Sequence, residues 1–277
     1  METGFLKSRI GEMAYTKWGS GNNILLCFHG YSHSRFFFTP LVAPLADGYT
    51  IYSFDLFFHG DSNLNNERYP LEKSDIGELF NSFLVNFQID KFSVLGFSIG
   101  SRFALSLCEL FPGKINKLIL LAPDAIKENF WYKLSTGSPV TRRFFKSLID
   151  AKFVYSFMPQ LAKRMKWIDE KVYRFVNTQL DTKLKREKVY HSWLAFRKLA
   201  FNKRELIKLF KRNQIEVFFI TGKFDHIIKA LPIIQFCKKA GLCNHYDVPA
   251  AHGKVLEALV KDRQLFFRIF NGQLLCN

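Results

Sequence analysis

Residues 93–110, SVLGFSIGSRFALSLCEL, decide how the chain is organised. The first half is an apolar run that ends in Gly96-Phe97-Ser98-Ile99-Gly100, and the second half, with Phe111 just after it, places Phe103, Leu107, Leu110 and Phe111 at helical spacing. That spacing puts side chains on one face of a helix. A strand that passes into a helix through so short a turn brings two backbones together, which glycine tolerates and larger residues do not. Ser98 is then left exposed at the bend, near a helix N-terminus whose dipole favours developing negative charge. A G-x-S-x-G pattern by itself fits a glycine turn as well as a nucleophile; the strand before it and the helix after it favour the nucleophile.

Apolar runs of the same kind, rich in branched and aromatic residues, occur at 24–28, 49–54, 92–97, 117–121 and 216–220. They read as buried strands. Between them Ile76, Leu79, Phe80, Phe83, Leu84 and Phe87 keep helical period. Fully apolar strands alternating with helices predict a doubly wound α/β core with a mostly parallel sheet covered on both faces. The rhythm stops after KLILLAPDA. Residues 125–213 keep helical spacing, as in TRRFFKSLIDAKFVYSF, KRMKWIDEKVYRFV, KVYHSWLAFRKLAF and KRELIKLFKR, without a strand-like run. Typical helix lengths make this an insertion of three to five helices. The alternation resumes with IEVFFITGKFD, a helix near 231–240, a short strand around HYDV and one last amphipathic helix from 253 to about 270. The expected organisation is a core of residues 1–124 and 214–277 interrupted by a helical unit, 125–213.

Charge follows the same division. Of the 277-residue chain's 40 Lys and Arg, 22 lie in residues 124–214 with only 8 of its 24 Asp and Glu, so this segment carries +14 of the net +16. Such a block fits attraction of an anionic substrate or of an acidic membrane surface. A solvated basic face without a partner is the alternative. Nucleic acid is not expected, since no recognisable nucleic-acid module accompanies the charge. The five cysteines, Cys27, Cys108, Cys237, Cys243 and Cys276, are an odd number without a close pair, and read as reduced thiols that favour a cytoplasmic setting. No run suits a signal peptide or a membrane span.

A second strand ends in LLCFHGYSHS, with His29-Gly30-Tyr31 at its tip. With the FDLFFHGDS segment (residues 54–62), the G-x-S-x-G turn, an acid in FITGKFDHIIKA and a late histidine in VPAAHGKVLEAL, the chain resembles the α/β-hydrolase superfamily over nearly its whole length. The resemblance implies that the backbone N–H groups of Tyr31 and Ile99 bind the oxyanion of a tetrahedral intermediate. His29 and Gly30, with Gly96 and Gly100, would support these loops. FDLFFHGDS looks like the family's D-x-x-G-x-G-x-S loop, with Phe58 or its neighbour in place of one glycine, and Asp55 and Ser62 anchoring a turn. The insertion, placed after the sixth core strand, would be a cap that selects substrates. Its aromatic residues (Phe130, Trp131, Tyr132, Phe144, Phe145, Phe153, Tyr155, Phe157, Trp167, Tyr173, Phe175, Trp193 and Phe196) suit either an apolar roof or the packing of the cap's own helices.

A serine nucleophile needs a base, and the base an orienting acid. The family order is serine, acid, histidine. His252 stands in the family's histidine position. Asp225, after the strand 216–220, matches the acid loop; Asp124 in LLAPDA is the alternative and Asp247 a weaker one. Phe97 and His33 are expected to line the site. The reading is a serine hydrolase acting on a carboxylic ester of a small acyl substrate, with no metal or organic cofactor. Thioester or carbon–carbon bond hydrolysis would use the same residues, and a non-catalytic ligand-binding member of the fold is the alternative of another class.

Overall fold

A computed structural model describes residues 1–65, 70–127, 130–150, 164, 170, 173, 178, 180–241 and 243–271. Strands β1 (Glu2–Ser8), β2 (Gly11–Trp18), β3 (Asn23–Phe28), β4 (Tyr49–Phe54), β5 (Asn63–Leu64), β6 (Phe92–Phe97), β7 (Ile115–Leu121), β8 (Glu216–Gly222) and β9 (Cys243–Val248) form one sheet in the order β1-β2-β4-β3-β6-β7-β8-β9, with β5 paired to β2. From β4 to β9 every pairing along this path is parallel, while β1, β2 and β5 pair antiparallel. The mostly parallel sheet matches the expectation. β4 and β6 are buried at every position, as strands covered on both faces must be.

The two faces are covered differently. Leu25, Cys27, Ile51, Leu95, Ile119, Phe218 and Ile220 join a cluster with Leu256, Leu259, Phe266 and Ile269 from the C-terminal helices. On the α-helical face formed by Lys73–Asn86 and Ser101–Leu110, Phe28 stacks between Phe54 and Phe103 at ring separations of 5.3 and 5.7 Å. Parallel strands place all their C-terminal ends at one edge of the sheet, where loops gather and ligands bind. The loops after β3, β6, β8 and β9 carry the residues of interest.

The chain divides into two compact units: Met1–Arg68, Glu72–Lys127 and Leu199–Asn277 in the first, and Tyr69–Leu71 with Glu128–Lys198 in the second. The longer segment of the second unit begins after β7, the sixth strand of the chain once the two-residue β5 is set aside. The helix Lys203–Asn213, which the charge and period of the sequence group with the insertion, falls in the first unit. Its Leu206 and Phe210 are buried. In the second unit, the helices Phe130–Gly137, Pro139–Asp150 and Lys183–Phe196 are joined by aromatic contacts: Phe145 stacks on Trp193 at 5.6 Å, and the Tyr132 ring lies 5.3 Å from Trp193. Phe144 is exposed. Phe153, Tyr155, Phe157, Trp167 and Phe175 lie outside the described residues, as do the side chains of Phe130 and Trp131.

One expectation is corrected at the C-terminus. The single helix expected from 253 to about 270 is a 3-10 turn, His252–Lys254, followed by two helices, Val255–Lys261 and Arg263–Phe270. Asp262 breaks them with ψ at 86°, and its carboxylate accepts from the Leu265 N–H to cap the second. Cys27, Cys108 and Cys237 are buried, and Cys27 and Cys108 are free thiols. Burial raises the thiol pKa of Cys27 and Cys108, which makes them inert packing groups. Among the described residues no helix is long and apolar enough to cross a membrane.

Candidate active site

β6 turns through the short 3-10 segment Ser98–Gly100 into the helix Ser101–Leu110. Ser98 sits at φ +50°, in the left-handed region that costs a non-glycine residue about 1 kcal/mol. Such strain persists where the surroundings enforce it. Here they do: a Cβ on Gly96 would come within 2.9 Å of Ala104 Cβ, and one on Gly100 would run into the carbonyl oxygens of Phe28 and His29. The turn is therefore pressed against the end of β3. Gly30 completes the contact, since a Cβ there would lie 3.3 Å from Ser98 Cβ and 2.7 Å from the Phe97 ring.

Two other loops converge on this serine. The 3-10 turn at His252 presents its imidazole with Nε2 3.0 Å from Ser98 Oγ and Nδ1 2.7 Å from Asp225 Oδ2. The Asp225 side chain is fully buried, and its other oxygen, Oδ1, accepts from the N–H groups of Ile227 and Ile228 at 2.7 and 2.9 Å. A carboxylate only accepts, so the His252 proton sits on Nδ1 and its Nε2 lone pair faces the serine hydroxyl. The loops after β8 and β9 are laced together, with Lys223 N–H donating to the Val248 carbonyl and Phe224 N–H to that of Ala250. That lacing fixes the acid and the histidine as one piece. Phe97 packs its ring 5.0 Å from His252 and stacks on Phe37 at 4.7 Å.

The loop after β3 is held by a neutral histidine. Leu56 N–H donates to His29 Nε2 at 3.0 Å, so that nitrogen carries no proton, and Nδ1–H donates to the Gly30 carbonyl at 2.7 Å. Both nitrogens are thus committed to structure. Beneath it the fully buried Asp55 accepts from the Arg35 N–H at 2.6 Å, from the Arg35 guanidinium and from Asp61 N–H. Ser62 accepts from Ala14 N–H and donates to the Asp55 carbonyl, anchoring the turn as expected. Phe58 adopts φ +66°, the conformation that accounts for a glycine at this point of the family loop.

The other acids are engaged elsewhere. Asp124 pairs with the buried Arg102 at 3.3 Å and accepts from Ser101 Oγ, while Arg102 also donates to the Leu199 carbonyl at 2.9 Å. Asp247 bonds Thr221, whose hydroxyl also meets His245 Nε2 at 2.8 Å. Removing Asp124 would take a carboxylate from a buried guanidinium. Asp124→Ala is expected to cost about 2 kcal/mol in urea unfolding, below the usual range for a buried pair because Asp124 is partly exposed, and to keep most of the activity. Arg35, Phe37 and Arg102 were not singled out in the sequence. A lone arginine in each of two apolar stretches, SHSRFFF and GSRFALSLC, was the available signal.

The strand order, the serine turn between β6 and its helix, and the acid and histidine loops after β8 and β9 define a class. Residues 23–254 match the family model described as the alpha/beta hydrolase fold, and the chain belongs to that family. Among curated proteins it is 30% identical over 105 residues to a Bacillus subtilis protein named for 2-succinyl-6-hydroxy-2,4-cyclohexadiene-1-carboxylate synthase, the match spanning 36% of each chain. It is 29% identical over 112 residues to a mouse (Mus musculus) serine hydrolase-like protein, covering 40% of this chain and 36% of the other. The chain thus spans little more than a third of the length of these relatives. Among solved structures, a thermophilic esterase from Thermogutta terrifontis superposes with a TM-score of 0.70 over 97% of this chain and 98% of its own, at 15% identity.

Proposed function

We propose that the protein is a serine hydrolase that cleaves a carboxylic ester through an acyl-enzyme. The observation that carries this reading is the unbroken hydrogen-bond chain from Ser98 Oγ through His252 to Asp225, at 3.0 and 2.7 Å. Ser98 Oγ attacks the ester carbonyl as its proton passes to His252 Nε2. The carbonyl oxygen becomes an oxyanion, for which the N–H groups of Tyr31 and Ile99 are the donors, each worth about 3 kcal/mol of barrier. The tetrahedral intermediate then expels the alcohol, which takes the proton from His252. In the second half a water gives its proton to His252 and its oxygen to the acyl carbon, releasing the acid and restoring Ser98. Asp225 keeps Nδ1 protonated throughout and stabilises the imidazolium. Phe37 and Phe97, stacked beside His252, give the acyl group an apolar wall.

The test is a fluorophosphonate probe together with a panel of nitrophenyl esters of increasing acyl length that includes one thioester. The reading expects a single covalent adduct at Ser98 and turnover of at least one short or medium ester. A folded chain that neither labels nor turns over any member would replace it with a ligand-binding role.

A further inference from the structure

Within the second unit, the helices Phe130–Gly137 and Pro139–Asp150 form a hairpin whose joint is tied by its own side chains. Ser138 Oγ accepts from Thr141 N–H and Thr141 Oγ1 from Ser138 N–H, each at 3.1 Å, a reciprocal cap on the start of the second helix. The Arg142 guanidinium donates to the carbonyls of Thr136 and Gly137 at the end of the first, at 3.2 and 3.4 Å. These bonds set which way the second helix faces. Phe145 stacks on Trp193, and Ile149 is buried with its carbonyl accepting from Arg186. Val140, Arg143, Phe144 and Ser147 fall on the opposite stripe, and all four are exposed. Val140 is 77% and Phe144 62% exposed, and Leu134 of the first helix 46%. Leu134 and the exposed Lys133 share a shallow groove with Ser138 and Thr141 at the joint, beside Val140.

We propose that this hairpin docks on an anionic lipid bilayer, with Leu134, Val140 and Phe144 entering the headgroup region and Lys133 and Arg143 meeting lipid phosphates. Apolar side chains held in water on a rigid helix stabilise nothing in the isolated chain, and with a basic flank they make the amphipathic surface that lies in a membrane interface. Charge complementarity selects the occupant. Residues 129–149 hold four basic side chains and no acidic one, and residues 128–198 hold 16 Lys and Arg against 6 Asp and Glu, +10 of the chain's net +16. Anionic headgroups attract such a surface, and the attraction adds up over each basic side chain near it. A second copy of the chain would bring the same basic patch against this one, and like charges repel. A protein partner must offer a matched pocket to each apolar side chain, whereas a bilayer accepts them at any spacing. The inference is independent of the chemistry at Ser98.

Co-sedimentation of the full chain with phosphatidylcholine vesicles, pure or with about 30% phosphatidylglycerol, tests it. The expected result is partition onto the anionic vesicles at least about tenfold stronger than onto the neutral ones, falling as salt is added. Three paired variants separate the contributions, and all six side chains are exposed, so the fold is spared. Val140→Ser with Phe144→Ser is expected to lower the partition about tenfold. Lys133→Ser with Arg143→Ser is expected to lower it about twentyfold. Lys211→Ser with Arg212→Ser removes the same charge from the helix Lys203–Asn213 of the first unit and is expected to stay within about twofold of wild type. A wild-type chain that does not sediment with the anionic vesicles overturns the inference. So does undiminished binding by the Val140→Ser, Phe144→Ser pair, which would mean adsorption by charge alone, or an equal loss in the two charge pairs, which would mean attraction by the whole molecule. Self-association without lipid that the Val140→Ser, Phe144→Ser pair abolishes would give the face to a second copy of the chain instead.

Discussion

Ser98→Ala is expected to lower kcat for a nitrophenyl ester by about 10⁴- to 10⁶-fold while leaving the fold as stable as before. The size follows from what is lost. Without Oγ there is no acyl-enzyme, and any residual rate comes from water acting beside the amides of Tyr31 and Ile99. Stability is unaffected because the strain at this position belongs to the backbone: Ser98 holds φ +50°, and alanine meets the same steric cost there as serine. Glycine does not. Ser98→Gly is equally inactive yet about 1 kcal/mol more stable in urea, since it adopts positive φ freely. The pair would show that the turn holds serine at a cost in stability. Turnover of the alanine variant near the wild-type rate would remove Ser98 from the mechanism, and stabilisation by alanine equal to that by glycine would remove the backbone explanation.

The parallel strands could be read from sequence because burial on both faces leaves them continuously apolar. Runs at 49–54 and 92–97 match β4 and β6 end to end, and those at 24–28, 117–121 and 216–220 fall within β3, β7 and β8. β1, β2 and β5 lack that signature. β2 mixes buried Met13, Ala14 and Thr16 with half-exposed Tyr15 and Lys17, and β1 is mostly exposed. Their pairing is antiparallel, at one end of the sheet, and their pattern is neither continuous nor cleanly alternating. The last two helices look like one in the sequence because the apolar period runs through Asp262, and only the local cap at Leu265 N–H breaks it. At the site, Ser98, Asp225 and His252 each stand in a loop just after a strand, which is why their positions could be read. The bonds that hold them could not. Asp225 to the Ile227 and Ile228 amides, His29 to Leu56, and His33 to the Tyr31 carbonyl depend on loop geometry that no periodicity encodes.

Asp225→Asn should be nearly as damaging as loss of the serine, lowering kcat by about 10⁴-fold at neutral pH without unfolding the site. The reason lies in the two oxygens of the carboxylate. Oδ1 accepts from two backbone N–H groups, Ile227 at 2.7 Å and Ile228 at 2.9 Å, and Oδ2 faces His252 Nδ1. An asparagine amide has one acceptor and one donor end. Its oxygen must take the place of Oδ1, because the NH₂ group set there would confront two donors and leave buried amides unsatisfied. The NH₂ group is thereby turned toward His252 and donates to Nδ1. The imidazole proton is then driven to Nε2, the nitrogen that must be unprotonated to accept from Ser98. The variant keeps its loop and its ring position but presents the wrong tautomer. Fluorophosphonate labelling of Ser98 is expected to slow by the same factor as kcat, with urea stability within about 1 kcal/mol of wild type, since both Oδ1 bonds survive. Near-normal labelling would mean that another acid orients His252 or that the histidine needs no orienting acid. Slow labelling with a collapsed fold would instead show that Asp225 serves the β8 loop before it serves the histidine.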